Sequence, residues 1–281
     1  MKKVIALVLS TVLCLGIFAG CGNSKSGSSS AASTAASTAA STTATSSAEK
    51  KTFTVGFDQD FPPFGFKADD GSFTGFDIEL ATETAKRLGL EIKLQPIDWD
   101  AKDMELKTGA IDCIWNGFTM TGREDEYTWS TPYMNNAQVF VVKKDSGIKT
   151  PADLKGKLVT VQTDSSAEAA LKEDKNKDLL SSFKELVICK EYNTAFMDLQ
   201  SGAVDAIAMD EGVARYQITT RKADFVVLDE SIADEQYAVG FLLGNTELKD
   251  KVENVLKEMV KDGTFATISK KWFDKDVCII K

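Results

Sequence analysis

The sequence predicts an α/β fold with largely parallel sheets, and three observations lead to that class. First, apolar stretches of strand length alternate with amphipathic stretches of helix length from Thr52 onwards, an order typical of parallel sheets covered by helices. Second, the helix–strand–loop unit at residues 106–123 (LKTGAIDCIWNGFTMTGR) is echoed at residues 199–207 (LQSGAVDAI). Third, 281 residues are enough for one large domain or for two lobes of ordinary size.

The first fifty residues have the composition of an export signal and a tether. Two lysines precede the apolar run Val4 to Phe18, which matches the basic and apolar regions of a signal peptide over residues 1–20. The segment ending at Cys21 resembles a bacterial lipoprotein cleavage box, with Phe18 where Leu is usual, and this predicts lipidation of Cys21. Ordinary secretory cleavage with an incidental Cys21 is the alternative. Residues 21–50, rich in Ser, Ala and Thr, predict a disordered tether.

Charge and the absence of histidine exclude several classes of function. The chain has 33 Lys plus Arg against 42 Asp plus Glu, so it has no electrostatic reason to bind nucleic acid. With no histidine, Ser-His and Cys-His nucleophile pairs, histidine bases and most zinc sites are excluded. We therefore expect no metal, no cofactor and no nucleic-acid partner.

The cysteines lack the close spacing of a metal or redox motif. Cys113 and Cys189 lie in apolar, strand-like runs, which favours buried thiols. A disulfide between Cys113 and Cys278 stays open at this point.

The N-terminal half of the folded part contains the elements that lead to residue 123. Alternation over Thr52 to Phe57 predicts a strand that brings Asp58 to its carboxyl end. A one-sided apolar pattern with a terminal glycine predicts a helix from Gly75 to Gly89. The next predicted elements are a strand over Leu90–Leu94, a short helix opening at Asp98, and a strand over Ala110–Trp115. Because ligands of open α/β sheets bind beyond the strands' carboxyl ends, the loop closing on Arg123 is the expected anion site.

The C-terminal half continues the alternation and contains a second candidate anion site. The strand Leu158 to Gln162 leads through Ser165 and Ser166 into a helix over Ala167–Leu171, whose first N–H groups can face an anion. The other predictions are β structure at Tyr133–Met134 and Gln138–Val142, a helix start at Thr150, strands over Leu186–Cys189, Val204–Met209 and Tyr237–Leu243, and helices over Asn193–Gln200, Glu211–Thr219, Thr246–Gly263 and Phe265–Phe273.

Six ordered motifs between Thr52 and Phe273 resemble those of the polar amino-acid-binding proteins that serve ABC importers. They are Val55-Gly56-Phe57-Asp58 with Phe61-Pro62-Pro63-Phe64, Gly75 to Ala81, Gly117-Phe118-Thr119-Met120-Thr121 with Arg123, Val161-Gln162-Thr163 with Ser165-Ser166, Gly202 to Ala206 with Asp210, and Gly263-Thr264 with Lys271-Trp272-Phe273. The resemblance implies a two-lobed periplasmic-binding-protein fold with a mixed, mostly parallel sheet in each lobe and a two-strand hinge. It also implies lobes of residues 51–134 plus 235–281 and of residues 135–234.

The resemblance assigns a role to each matching position. Arg123 would bind a ligand α-carboxylate bidentately, helped by backbone N–H groups at Ser165 and Ser166. Asp210 would accept the α-ammonium group. The remaining ligand contacts are Thr119 and the Gly117 carbonyl at the head group, the aromatic walls Phe61 and Trp99, and Asp58 at the side-chain end. One departure is that the Thr121-Gly122-Arg123 segment is one residue shorter than usual in the family.

Structural interpretations stand beside these roles. Asp210 can cap the helix that follows it, and Asp58 can bind neighbouring backbone N–H groups. Phe61 and Trp99 can be core aromatics. Two further acids, Asp112 and Asp205, share a place in the repeat and are interpreted as structural.

The function implied is that of an extracytoplasmic receptor, not an enzyme. It would capture a free polar L-amino acid, close around a hinge near Tyr133–Ala137 and Ile232–Gln236, and deliver the ligand to the permease subunits of an ABC importer. A monomer anchored to the cell membrane through lipidated Cys21 is expected. A dehydratase-like enzyme or a ligand sensor on the same fold is the alternative. An acid at Asp58 favours an amide or cationic ligand side chain over an acidic one.

Overall fold

The computed structural model describes residues 51–281, and the predicted signal peptide, Cys21 and the tether lie outside the described residues. The strands are β1 Thr52–Phe57, β2 Asp60–Phe61, β3 Gly65–Lys67, β4 Phe73–Thr74, β5 Glu91–Pro96, β6 Cys113–Ile114, β7 Thr128–Trp129, β8 Met134–Lys143, β9 Leu158–Gln162, β10 Glu185–Cys189, β11 Ala206–Asp210, β12 Phe225–Val227, β13 Ala233–Tyr237 and β14 Gly240–Phe241. The α-helices are α1 Phe76–Leu88, α2 Lys102–Thr108, α3 Ser166–Lys172, α4 Lys177–Ser182, α5 Tyr192–Ser201, α6 Glu211–Arg221, α7 Thr246–Asp262 and α8 Thr264–Phe273.

Two main sheets build the molecule, and each belongs to one lobe of the predicted two-lobed α/β fold. The first sheet has the strand order β5-β1-β6-β14-β7, with β1 parallel to both β5 and β6 and with β14 antiparallel to its neighbours. The second has the order β10-β9-β11-β8-β12, with β9 parallel to β10 and β11. A small antiparallel sheet, β2-β3-β4, follows β1.

The two lobes are joined by a pair of antiparallel strands, as the two-strand hinge predicts. Strand β13 pairs with β8 in a register that places Tyr237 opposite Met134 and Ala233 opposite Gln138. Beyond this pairing, β8 continues into the second sheet beside β11, while the chain after β13 enters the first sheet as β14. The hinge strands are therefore continuous with both sheets.

Helices cover both sheets because their apolar faces match the buried strands. Helix α7 buries four side chains on one face, and the central strands of both sheets are buried on both sides. The buried residues of α7 are Val252, Val255, Leu256 and Met259. No helix within residues 51–281 is long and apolar enough to cross a membrane.

The two repeat copies fold alike and use their acids in the same way. Helices α2 and α5 end at glycines with φ of 74° and 84°, a left-handed conformation that favours glycine. After each glycine an aspartate reaches the neighbouring strand. Asp112 accepts from the Thr54 N–H at 2.8 Å, and Asp205 accepts from the Leu158 N–H at 2.9 Å. These contacts support the structural interpretation of both acids.

Several predicted elements differ in detail from the structure. The strand predicted over Tyr237–Leu243 is two strands, because the chain leaves the second sheet at Tyr237 and joins the first at Gly240. Thr150 begins only a 3-10 turn, although its capping box with Asp153 is present. The N-cap of α7 is Asn245, whose side chain accepts from the Leu248 N–H. The elements β2–β4, β7, β12 and α4 have no predictive pattern in the sequence.

The three cysteines of residues 51–281 carry thiols, so no disulfide joins Cys113 to Cys278. Cys113 is buried in the core as expected, while Cys189 is only half-buried.

Candidate functional site

A small cavity of about 270 Å³ lies between the loops that follow the strands of the two sheets. Seven of the nine predicted ligand-binding residues line it, together with two residues that were not predicted to do so. The predicted ones are Phe61, Trp99, Gly117, Thr119, Ser165, Ser166 and Asp210, and the others are Asn116 and Gln162.

The first lobe contributes a loop that begins at Gly117, where there is no space for a side chain. Gly117 has φ of 55°, and a Cβ atom on it would lie 2.9 Å from the Phe61 ring. Its N–H donates to the Asp77 carboxylate at 2.5 Å, and Asp77 also accepts from the Tyr133 hydroxyl at 2.9 Å. Burial raises the pKa of Asp77 to about 7. Asp77 therefore holds the loop backbone from behind, in the core.

The same loop runs beside the hinge strand β13. The Met120 N–H donates to the Gln236 carbonyl at 2.9 Å, and the Gln236 N–H donates to the Thr121 hydroxyl at 3.1 Å. A single β-bridge joins Thr119 to Tyr237. The loop that carries the predicted head-group contacts is thus fixed to a hinge strand.

The second lobe contributes the start of α3. Ser165 is its N-cap, and its hydroxyl accepts from the Glu168 N–H. The Ser166 hydroxyl lies 2.9 Å from the Thr119 hydroxyl of the first lobe, so a hydrogen bond crosses the cavity. Ser166 also accepts from the Gln138 amide at 3.2 Å.

Asp210 is the last residue of β11, and its carboxylate accepts hydrogen bonds from several side chains. It is 3% exposed and accepts from the Tyr237 hydroxyl at 2.5 Å, the Gln138 amide at 2.8 Å and the Asn136 amide at 3.1 Å. Burial raises its pKa above the usual range. Its side chain makes no capping hydrogen bond to α6, so the carboxylate is directed to the site and the hinge instead of to the helix.

Asp58 lies next to the cavity, in an adjoining space of about 370 Å³ that shares Trp99 with it. Its carboxylate accepts from the Asp60 N–H and the Gln162 amide, each at 2.8 Å. Burial raises the pKa of Asp58 to about 6. Acids dominate the charged residues around this adjoining space, which are Asp58, Asp60, Asp98, Asp100, Lys190 and Glu191.

Arg123 lies at the edge of the site and does not line the cavity. The side chain is half-exposed, its guanidinium carbon is 5.6 Å from the centre of the Phe118 ring, and Nη2 donates to the Asp164 carbonyl at 3.4 Å. Its contact with a ligand carboxylate stays a prediction.

Further contacts across the cleft hold the two lobes together. Lys102 of the first lobe is 2% exposed, and it forms an ion pair with Asp164, which precedes α3. The Lys102 ammonium also lies 5.3 Å from the centre of the Trp99 ring. The Asn193 amide of the second lobe donates to Asp60. The structure is therefore a closed arrangement of the lobes.

Sequence reasoning missed the residues that surround Asp210 from behind. Asn136 and Gln138 of β8 and Glu235 of β13 form a buried polar cluster with it. The signal was the period-two spacing of Asn136 and Gln138, because a half-buried strand places alternate side chains on one face. Asn116 and Gln162 follow the strand-end rule that identified Asp58 and Asp210.

No group of three acidic or thiol side chains within residues 51–281 is arranged to hold a metal ion.

Comparisons with known proteins agree with this geometry. The family model described as bacterial extracellular solute-binding proteins, family 3, matches residues 53–275. The L-cystine-binding protein TcyJ of Escherichia coli strain K12 is 35% identical over 235 residues, which are 82% of this chain and 85% of that protein.

Solved structures give the same result. An ABC uptake transporter substrate-binding protein from Streptococcus pneumoniae with bound histidine has a TM-score of 0.79 at 38% identity, covering 82% of this chain and 95% of that one. An ancestral amino acid-binding protein, described as a precursor of cyclohexadienyl dehydratase, has a TM-score of 0.72 at 36% identity, covering 79% and 96%. The chain therefore belongs to the bacterial extracellular solute-binding proteins of family 3.

Proposed function

We propose that the protein captures a free polar L-amino acid in the cavity between its lobes and delivers it to an ABC importer. One observation carries this proposal: a buried carboxylate, Asp210, and the start of α3 at Ser165 and Ser166 line the same small cavity with the aromatic side chains Phe61 and Trp99. A zwitterion needs an anionic partner for its ammonium and N–H donors for its carboxylate. This cavity offers Asp210 for the ammonium and the start of α3 for the carboxylate. The Ser165 N–H also donates to the Gln162 carbonyl at 3.4 Å, so the Ser166 N–H is the main donor in this proposal.

Arg123 completes the carboxylate end in this proposal. A guanidinium can bind a carboxylate through two parallel hydrogen bonds, and Arg123 already contacts Asp164, which adjoins Ser165. To contact a ligand in the cavity, its side chain would leave the Asp164 carbonyl. Thr119 and the Gly117 carbonyl supply further polar contacts to the head group.

Asp58 selects the ligand side chain. Its carboxylate is ionised near pH 7 because the pKa is about 6, and most charged neighbours of the adjoining space are acids. Like-charge repulsion disfavours an acidic ligand, and an amide or cationic side chain fits better. The named relatives bind cystine and histidine, which agrees with a polar ligand and leaves its identity to experiment.

Ligand capture would act through the hinge. We propose lobes of residues 51–134 plus 235–281 and of residues 135–234, supported by the division of the strands between the two main sheets. A ligand that contacts Asp210 and Ser166 from one lobe and Thr119 from the other stabilises the closed state, because the open state offers only part of these contacts.

Calorimetric titration of residues 51–281 with single L-amino acids tests the function. We expect saturable binding of at least one member of a panel of arginine, lysine, glutamine, cystine and histidine, with glutamate bound more weakly. Arg123→Ala should weaken that binding at least a hundredfold, since a bidentate charged contact is lost. Arg215→Ala, an exposed arginine paired with Glu211, is the matched control. Unchanged affinity in Arg123→Ala would remove the assignment of Arg123.

The receptor role is inferred over an enzymatic one. The named ancestral relative is described as a precursor of a dehydratase, and the buried carboxyl groups of this site could donate protons. Against that activity, the family consists of solute-binding proteins, and the predicted acids are occupied by hydrogen bonds. Turnover of a prephenate-like carboxylated ring compound by the purified protein would reverse this conclusion.

We also propose a monomer held at the cell membrane by a lipid on Cys21. The named relatives belong to extracellular solute-binding proteins, and an anchored receptor stays near its permease. Cys21→Ala should release the full-length protein from the membrane fraction into the medium. Light scattering of the released protein should give the mass of one chain.

A further inference from the structure

Two buried carboxylates share the same two amide donors behind the cavity. The Asn136 amide nitrogen lies 3.1 Å from Asp210 Oδ1 and 2.7 Å from Glu235 Oε1. The Gln138 amide nitrogen lies 2.8 Å from each of the same two oxygens. Oxygens that share two donor nitrogens are only a few ångströms apart, and two negative charges at that distance in a buried site repel strongly.

No positive charge within the described residues relieves this repulsion, since no ion pair of residues 51–281 involves Asp210 or Glu235. The groups that face the pair from neighbouring elements are neutral or acidic. They are the phenols of Tyr237 on β13 and Tyr192 on α5, and the acid Glu211 on α6.

We propose that Glu235 is a positioning residue for the ligand ammonium, and that the Asp210–Glu235 pair holds a proton in the empty protein and releases it when the ammonium binds. This inference rests on the proposed function, in which Asp210 accepts the ammonium of an amino acid. The ammonium replaces the proton as the positive charge in the pair. Ligand capture is thereby coupled to the release of up to one proton.

The direction of the coupling follows from burial. Burial and the neighbouring Asp210 raise the pKa of Glu235 to about 8, and burial also raises the pKa of Asp210. Below about pH 8 the empty pair therefore keeps a proton, and a bound ammonium lowers its affinity for that proton. By linkage, ligand affinity increases as pH rises towards about 8, as long as the ligand amino group stays protonated.

The released proton has a route that avoids the ligand. Glu235 also lines an open groove on the outer side of the hinge, with Asn135, Gln236 and Thr121. Asp210 faces the cavity and Glu235 faces this groove, so the pair spans the wall between ligand and solvent. Glu235 is 5% exposed, so a proton that leaves it can reach water at this groove without crossing the cavity.

The position of the pair connects proton release with closure. Glu235, Asn136 and Gln138 all lie on the two hinge strands β8 and β13. The Gln138 amide also donates to the Ser166 hydroxyl, which bonds Thr119 across the cleft. Loss of the proton removes a hydroxyl donor from this network. It therefore changes the hydrogen bonding of the hinge strands and of the contact across the cleft.

Calorimetry in two buffers tests the proposal. The probes are L-arginine, L-lysine and L-glutamine, whose side chains do not titrate between pH 6 and 8, in phosphate and in Tris at pH 7. We expect the binding heat to differ between buffers by an amount that corresponds to roughly half a proton to one proton released per ligand. The dissociation constant should fall by up to tenfold per pH unit between pH 6 and pH 8.

Variants assign the proton to the pair. Glu235→Gln keeps the side-chain shape but removes the like charge beside Asp210, so binding should persist with much less proton release and a weaker pH dependence. Asp234→Asn, on the adjacent exposed position of the same strand, should behave as the wild type. Buffer-independent heats for the wild-type protein would overturn the proposal, as would full proton release in Glu235→Gln. If none of the panel of amino acids binds, the proposed function itself fails.

Discussion

Single residues of this site are held by partners that the ligand would never touch, and Asp77 is the example at this scale. Its carboxylate lies wholly in the core and accepts from the Gly117 N–H and the Tyr133 hydroxyl. Gly117 in turn lines the cavity against Phe61. The geometry of the loop that begins at Gly117 therefore depends on Asp77, which lies in the core behind it.

Replacing Asp77 should show how much its hydrogen bonds stabilise the loop at Gly117. Asp77→Ala leaves two buried donors without an acceptor, which should reduce the free energy of unfolding by roughly 2 to 4 kcal/mol. Asp77→Asn retains one acceptor oxygen and should lose clearly less. Urea unfolding of the ligand-free variants at pH 6 measures both values. Equal, small losses in the two variants would show that the Gly117 loop is held by its contacts with β13 alone.

Site residues could be predicted from the sequence only where a local rule applied. Asp58 and Asp210 follow strands directly, and Gly117 is part of a recognisable motif, so position along the chain was enough. Glu235 and Gln138 are 97 residues apart and meet only because β13 pairs with β8 in one register. Arg123 was predicted from its motif, but the Asp164 loop that holds its side chain belongs to the other lobe. Such contacts depend on tertiary structure and leave no local pattern.

At the scale of elements, the start of α2 and the loop before α3 form a latch across the cleft. The buried ammonium of Lys102 pairs with Asp164, whose own side chain is 55% exposed. Asp164 has φ of 54°, a conformation that brings its carboxylate and its carbonyl towards the first lobe. The latch needs no ligand to form, so it favours closure of the ligand-free protein.

Removing the latch should shift the ligand-free protein towards the open state. Lys102→Met fills a similar volume without charge and leaves Asp164 hydrated at the surface. We expect a larger radius of gyration by small-angle scattering and ligand binding about five- to tenfold weaker. Lys175→Met, which breaks an exposed ion pair with Glu173 on the second lobe, is the matched control. Scattering curves that superimpose for Lys102→Met and wild type would contradict a latch role.

Elements were predictable where periodicity and a stop signal agreed. Helix α1 begins after Gly75 and ends at Gly89 as expected, and β1 and β9 occur at the expected residues. The break between β13 and β14 was not predictable, because the apolar run through both continues while the chain changes sheets. Short strands such as β12 exist only through pairing with β8 and have no pattern of their own.

At the scale of the whole molecule, the closed cleft buries an unusual amount of acid. Burial raises the pKa of Asp58 to about 6 and that of Asp77 to about 7, and burial with the Asp210 charge raises that of Glu235 to about 8. All three serve the site or its supports. These buried acids therefore reduce the stability of the protein by an amount that depends on pH.

The raised pKa values of these buried acids determine how the stability of the fold depends on pH. A carboxyl whose pKa is higher folded than unfolded binds extra protons in the folded state, so stability rises as pH falls from about 8 towards about 5. Below that range the sign reverses, because hydrogen bonds from Arg87 lower the pKa of exposed Asp262 to about 2, and its contribution is lost as pH falls below about 4. Calorimetric scans without ligand should show a melting temperature several degrees higher at pH 5 than at pH 8. The double variant Asp77→Asn with Glu235→Gln should flatten the limb between pH 5 and pH 8, whereas a melting temperature that rises with pH in the wild type would show that these acids are not buried in solution.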